Sequence, residues 1–374
     1  MKIAIIADAL DYQYAGIYYY TKELIAALAK IDTKNEYWIV RSQSEGDISQ
    51  NIKELIIPTK KFPGAAAYRL FFTIPKLLAE KKMDIVVEPR HFGPFNLPKN
   101  IKRVTVIHDL SPLHFPAWHP FLSRKLQQLF LPSILRRADF IITNSEFTAQ
   151  DVIQHFPFTK PKVSGILLGR NVHFQPVINP AVLEKYQISQ PYLLHTGTIE
   201  PRKNLSLLVK AFETIKATYS SNLQLVLVGK LGWKNKPLLR LIEKSAFKKD
   251  IKLVGYVAWE ELPVLYSAAI LFVYPSHFEG FGLPVLEAMS CGLPSIVSDN
   301  SSLPEVQGDA GYSFRAGDIE NLVEKIILLL DNQPLRNTLS KNAIKRAALF
   351  SWESTAKETL SIFEDLYNKR SFSS

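Results

Sequence analysis

Glu279 and Glu287 bracket the segment Glu-Gly-Phe-Gly-Leu-Pro-Val-Leu-Glu, with seven residues between the two carboxylates. The apolar run 269–273 just before it predicts a strand ending near Tyr274, and residues 283–289 predict a helix. In an open α/β sheet the carboxyl edge, where such a loop emerges, is where ligands bind. The first-turn N–H groups of the following helix point to the same place and suit a phosphate or a polyol oxygen. Ionised carboxylates accept hydrogen bonds only, so two on one short segment suit the vicinal hydroxyls of a ribose or a hexose. Two glutamates at this spacing are commonplace on protein surfaces, so the context of neighbouring segments decides what they do.

That context begins about 75 residues earlier, in Thr196-Gly197-Thr198-Ile199-Glu200-Pro201-Arg202-Lys203-Asn204, directly after another apolar run. Arg202 and Lys203 precede a helix expected from about Asn204, so two cations and free helix amides converge. A diphosphate requires that combination, with Arg as a planar fork and Lys as a mobile point charge. An isolated basic pair would be an ordinary exposed turn; beside the two-glutamate segment it is not. In the first half, Val106-Ile107-His108-Asp109-Leu110 ends a further strand, which puts His108 at a sheet edge. His114 and His119 follow and invite a metal reading with His108 and Asp109. Pro112, Pro116 and Pro120 prevent a helix from aligning them, and neither His-Glu-x-x-His nor Asp-x-Asp occurs, so no metal site and no requirement for a divalent ion are expected.

These segments, in this order, resemble the GT4-type group of retaining glycosyltransferases (glycosyl transferases group 1). The resemblance includes a His-Asp motif, a Gly-x4-Arg-Lys-Asn loop from Gly197, the two-glutamate segment and the terminal Ser351-Trp352-Glu353. It implies the GT-B fold, α/β with two facing Rossmann-like doubly wound domains and a cleft between them. It also implies a nucleotide-diphosphate sugar as donor, GDP- or UDP-linked, and a glycan or lipid-linked acceptor. Arg202 and Lys203 would then hold the diphosphate, and Glu279 the sugar hydroxyls, with the amides of Phe281, Gly282 and Leu283. Glu287 would hold the ribose diol, His108 would position the sugar, and backbone groups near Tyr256 would meet the base. Same-face transfer assisted by the leaving phosphate is the implied mechanism, with no cofactor. The texture is most like bacterial mannosyltransferases of surface-polysaccharide synthesis, which favours GDP-mannose. One departure concerns the glycine-rich loop after the first strand: in Tyr14-Ala15-Gly16-Ile17-Tyr18 only Gly16 survives. The nearby tyrosines suit either stacking on an acceptor sugar or the buried face of the first helix. A nucleotide-sugar epimerase and a non-catalytic sugar-nucleotide-binding protein are the alternatives.

The elements that must position these groups follow from the chain as a whole. A length of 374 residues suits two domains. Short apolar strands are expected at 2–7, 37–40, 55–57, 84–88, 103–107 and 140–143, and again at 192–196, 223–228, 251–254, 270–274 and 295–297, with helices between. That alternation argues parallel sheets covered on both faces. The expected boundaries are 1–170, a proline-containing linker 171–190, and 191–351, with a helix 352–374 returning to the first domain. Residues 8–15 are expected as loop, and Ser145 as a helix N-cap.

The formal charge of +10 favours an acidic partner. Nucleic acid is not expected, because no zinc-ligand spacing or RNA-binding aromatic motif is present. An anionic membrane surface fits better. Lys60, Lys61, Arg69, Lys76, Lys81 and Lys82 flank an apolar segment 70–74, and Arg124, Lys125, Arg136 and Arg137 flank 126–135. A single cysteine, Cys291, no signal-peptide pattern and no long apolar run predict a soluble cytoplasmic protein, peripheral on the inner membrane face.

Overall fold

A computed structural model describes residues 1–12, 15–44, 52–60, 62–90, 92–119, 121–219 and 222–371. The chain divides into two compact units, Met1–Gly169 together with Ser351–Ser374, and Arg170–Phe350.

The first unit holds a seven-stranded sheet built from β1 (Lys2–Ile6), β2 (Glu36–Arg41), β3 (Ile52–Ile56), β4 (Ile85–Glu88), β5 (Lys102–Ile107), β6 (Phe140–Thr143) and β7 (Val163–Gly165), in the order β3-β2-β1-β4-β5-β6-β7. Every pairing is parallel; Ile3 faces Tyr37 on one side and Ile85 on the other. The central strands are mostly apolar because both faces are covered: all of Ile85–Glu88 is buried. Glu88 is tolerated there because Arg103 and Thr105 bond its carboxylate. The terminal helix Trp352–Ser371 packs on the helix Ala15–Ile31 of this unit. It buries Ala356, Thr359 and Phe363 completely, and Thr355 Oγ1 donates to Leu167 O at 2.7 Å.

The second unit holds β8 (Tyr192–Thr196), β9 (Gln224–Val228), β10 (Ile251–Gly255), β11 (Leu271–Tyr274), β12 (Ser295–Ser298) and β13 (Gly311–Phe314), all parallel, in the order β10-β9-β8-β11-β12-β13. The helix Leu205–Thr218 presents Leu205, Leu208, Val209, Phe212 and Ile215 at helical spacing to Leu225, Leu227 and Val273. Each such buried side chain contributes about 1.5–3 kcal/mol. The Rossmann-like order in both sheets is the expected α/β class.

Four expectations change. Residues 171–190 are not a free linker: they belong to the second unit, form the helix Pro180–Lys185, and bury Phe174 and Val182. Asp8–Tyr12 is a short helix, not loop, whose carboxylates satisfy neighbours: Asp8 grips Arg69 and Asp11 accepts from Ser42 N. Arg69 is therefore buried and no part of a basic surface. Two edge strands, β7 and β13, had no distinct apolar run to announce them. Among the described residues no helix is long and apolar enough to cross a membrane.

Candidate active site

Strands β8 and β11 are parallel neighbours, with Leu193 beside Leu271 and Leu194 beside Phe272. The loops that follow them therefore leave the same carboxyl edge, and this brings together groups about 75 residues apart in sequence. The loop after β8 starts at Gly197, whose φ of 133° lies where side chains are disfavoured. Gly229, after β9, packs so closely that a Cβ would sit 2.0 Å from Gly197 O. A single turn, Pro201–Lys203, then presents the two cations, and Asn204 at φ 52° redirects the chain into the helix Leu205–Thr218.

Both cations meet Glu279. Arg202 Nη1 donates to Glu279 Oε2 at 2.6 Å and to Phe278 O at 3.0 Å, while Arg202 Nε donates to Glu200 Oε1 at 3.0 Å. Lys203 Nζ donates to Glu279 Oε1 at 2.6 Å and to Tyr274 Oη at 2.5 Å. Ser276 Oγ donates to the same Oε1 at 2.7 Å. Burial alone would raise the Glu279 pKa, but Arg202 and Lys203 outweigh it and hold it at about 2. Burial lowers the Lys203 pKa, reinforced by Arg202 and opposed by Glu279. Backbone contacts brace the carboxylate: Ser301 Oγ accepts from Glu279 N, and Ser302 Oγ donates to the carbonyls of Glu279 and Phe281. The result is a balanced cluster in which Glu200 and Glu279 offset Arg202 and Lys203.

Gly282, in the left-handed region at φ 106°, starts the helix Leu283–Ser290. Pro284 has no N–H, and Val285 and Leu286 donate to Gly282 O, so the donors at this end are the amides of Phe281, Gly282 and Leu283. Glu287, one turn in, accepts from Tyr266 Oη at 2.7 Å, and that hydroxyl lies 2.5 Å from Thr196 Oγ1. Burial pushes the Glu287 carboxyl up to about 7, despite the Tyr266 bond. Tyr256 follows β10 and is 66% exposed, with Lys230 Nζ 5.0 Å from its ring centre.

Sequence reading missed Tyr274, Ser276, Ser301 and Ser302 as partners of Lys203 and Glu279, since hydroxyls in loops carry no signal of their own. It also missed His195. That ring is fully buried, stacked 5.1 Å from Tyr274, with Nδ1 bonded to Val273 O at 3.1 Å. Burial lowers its pKa to about 3, so it is neutral.

His108 and Gly16 belong to the first unit. His108 follows β5, half-buried, with Nε2 2.7 Å from Pro89 O and its ring edge-on to Tyr20 at 5.1 Å. Nε2 must donate to that carbonyl, which leaves Nδ1 as an acceptor. Burial lowers the His108 pKa. Gly16 is exposed in the first turn of the helix Ala15–Ile31; Tyr14 lies outside the described residues. Tyr20 is the buried face of that helix, between His108 and Trp352. Ser145 is an N-cap, accepting from Thr148 N at 3.1 Å. His114 joins neither His108 nor Asp109; it meets Asp151 and His155.

Comparison with known proteins agrees with this architecture. The family described as "Glycosyl transferases group 1" matches residues 182–346, and "Glycosyltransferase Family 4" matches residues 14–173. The O-antigen chain mannosyltransferase B of Escherichia coli is 32% identical, over 97% of this chain and 100% of that protein. A serotype-specific mannosyltransferase, WbdA of Escherichia coli, is 31% identical over 68% of this chain and 32% of its own length. Among solved structures, sucrose-phosphate synthase from Thermosynechococcus elongatus superposes with a TM-score of 0.80 at 22% identity, covering 99% of this chain and 100% of that one. Anabaena HepE in complex with UDP and glucose gives 0.72 at 17% identity, covering 97% and 99%. The chain belongs to the glycosyl transferases group 1 family, as a glycosyltransferase of the GT-B fold.

Proposed function

We propose that this enzyme transfers mannose from GDP-mannose to a glycan or lipid-linked glycan in cell-surface polysaccharide synthesis, with retention of configuration and no divalent ion. UDP-linked sugars are the second choice of donor. The observation that carries the reading is the convergence of Arg202 and Lys203 on Glu279 at the carboxyl edge of β8 and β11. A diphosphate entering there meets two fixed cations and the amides of Phe281, Gly282 and Leu283, which supply the charge neutralisation a metal would otherwise provide. Glu279, released from part of its pairing, accepts from sugar hydroxyls, and Glu287 from the ribose diol. The bond between the sugar's anomeric carbon and the phosphate oxygen breaks with its electron pair passing to the diphosphate. The acceptor oxygen bonds to the same face, and its proton passes to the leaving phosphate. Arg202 and Lys203 stabilise the charge that builds on that phosphate, so their effect falls on turnover more than on binding.

Mannose is supported by the named activity of the Escherichia coli relatives. The test is thermal melting with UDP, GDP, ADP and TDP, each with and without EDTA, followed by transfer assays with the selected donor series. A stabilisation specific to GDP that survives EDTA is expected; dependence on a divalent ion, or no shift with any nucleotide, would overturn the reading.

One surface favours peripheral membrane contact in addition. Phe62, Tyr68 and Phe72 form an exposed aromatic row, with ring centres 6.1 and 5.3 Å apart, and Phe121 and Leu129 are 67% and 71% exposed. Stacked Phe71 and Phe95, with Phe130 next to Phe95, link the two segments. Lys60, Lys76 and Lys125 flank this apolar surface in sequence. Co-sedimentation with anionic but not zwitterionic vesicles, lost on replacing Phe72 and Leu129 by Ser, is the expected result.

A further inference from the structure

From the geometry of His114, Asp151 and His155 we infer a zinc-binding site in the first unit, separate from the groups assigned to the transfer reaction. Asp151 and His155 lie one turn apart on the helix Glu146–His155, and His114 ends the short helix Ser111–His114. His114 Nε2 is 2.8 and 2.9 Å from the two Asp151 carboxylate oxygens, and His155 Nδ1 is 3.1 Å from Oδ1. The three prospective ligand atoms all lie within 4.8 Å of one another, and the two rings stand nearly perpendicular with centres 4.8 Å apart. A tetrahedral zinc ion with bonds of about 2.0–2.1 Å separates its ligand atoms by about 3.3 Å, so small ring movements suffice.

The burial pattern has the form of a chelate with an open position. Asp151 is 5% exposed, while His114 and His155 are 30% and 33% exposed. The anion is thus shielded beneath two imidazoles whose outer edges reach water, leaving a route for the ion and room for a water as fourth ligand. In the metal-free arrangement, protons on His114 Nε2 and His155 Nδ1 occupy the space between rings and carboxylate. Zinc takes their place; His155 Nδ1 gives up its 3.0 Å bond to Asp151 O at the helix end, where the carbonyl dipoles favour a cation. Two imidazoles and one carboxylate suit zinc, whereas magnesium prefers an oxygen shell. Ligands from separate segments make the ion a clamp between the stretch after His108 and the helix after β6.

The test uses the untagged full chain, stripped with EDTA and dialysed, then titrated with zinc chloride by calorimetry and thermal melting. One ion per chain and a melting rise of several degrees are expected, with His114→Gln and His155→Gln each weakening binding at least tenfold and the double variant abolishing it. Circular dichroism verifies that the variants fold. Cobalt(II) supplies a readout without any variant: strong visible absorption of a four-coordinate ion is expected, and a weak six-coordinate spectrum would overturn the proposal. So would the absence of stoichiometric zinc binding, or binding unchanged in the double variant.

Discussion

Replacing Glu279 by Gln keeps the shape of the side chain but removes the charge that Arg202 and Lys203 share. The Glu279 pKa is held at about 2 against an ordinary 4.5, which corresponds to about 3 kcal/mol of net stabilisation of the ionised form. Leaving a buried cation without its partner costs about 3–5 kcal/mol in comparable cases, and Lys203 is only 7% exposed. For a unit the size of Arg170–Phe350, a loss of about 3 kcal/mol lowers the melting temperature by about 6–12 °C. Because the folded pKa is depressed, this contribution is complete above pH 4.5 and disappears as pH falls toward 2. The difference between wild type and variant should shrink over that window. The cluster also makes a second, opposite expectation. A nucleoside diphosphate no longer competes with Glu279 for the two cations, so its stabilising effect should be larger in the variant while turnover falls. Calorimetry at pH 7, with and without GDP, reads both quantities. A variant that melts within 2 °C of wild type, or gains no more from GDP than wild type does, would refute the shared-charge account.

Further expectations follow from the same geometry. The burial that pushes Glu287 to about 7 makes it a poor acceptor below that pH, so nucleotide affinity should rise from pH 6 to pH 8 and become flat in Glu287→Gln. The sign for stability is the reverse: a carboxyl raised in the folded state stabilises the ligand-free enzyme at low pH and loses that contribution as pH rises through about 7, which pH-dependent melting checks. Gly229→Ala places a Cβ 2.0 Å from Gly197 O at a φ of 144°, and should cost more than about 2 kcal/mol in denaturant unfolding and displace the Arg202 loop. Ser276→Ala removes one buried bond to Glu279 in the ligand-free enzyme and should lower the melting temperature by about 2–4 °C, as a lost hydrogen bond of about 1 kcal/mol does in a unit the size of Arg170–Phe350, which calorimetry checks. Cys291, buried with its thiol pushed up to about 12, should resist thiol reagents until the protein unfolds.

The sheets were legible where strands are buried on both faces. Tyr192–Leu194 at the start of β8 and Leu271–Tyr274 are short apolar stretches rich in aromatic and aliphatic residues, which reads as buried strand. β7 and β13 stayed hidden because an edge strand such as Val163–Gly165 is half-buried and too short to show a period. Asp8 and Asp11 read as loop because their partners, Arg69 and Ser42, lie on distant segments. Arg202, Lys203, Glu279 and Glu287 stood out through residue type and spacing. Their mutual contacts did not, since the meeting of two loops depends on which strands neighbour each other, and chain order places β9 and β10 between β8 and β11. Asp151 and His155 share a helix at a spacing of four, but a long helix and β6 separate them from His114, so local spacing does not show the third group.

The assignment of the terminal helix Trp352–Ser371 to the first unit has a consequence for how the protein is made. Tyr20 and the rest of the helix Ala15–Ile31 leave the ribosome before Arg170–Phe350 is made, but the segment that covers them is synthesised only after it. At about 5–20 residues per second, the roughly 180 residues of Arg170–Phe350 take on the order of ten to forty seconds to translate. Throughout that interval the nascent first unit lacks Ala356, Thr359 and Phe363, and the surface they cover stays open to chaperones or to other chains. The second unit, continuous in sequence, waits for nothing beyond Phe350. Vectorial synthesis therefore favours completion of the second unit before the first.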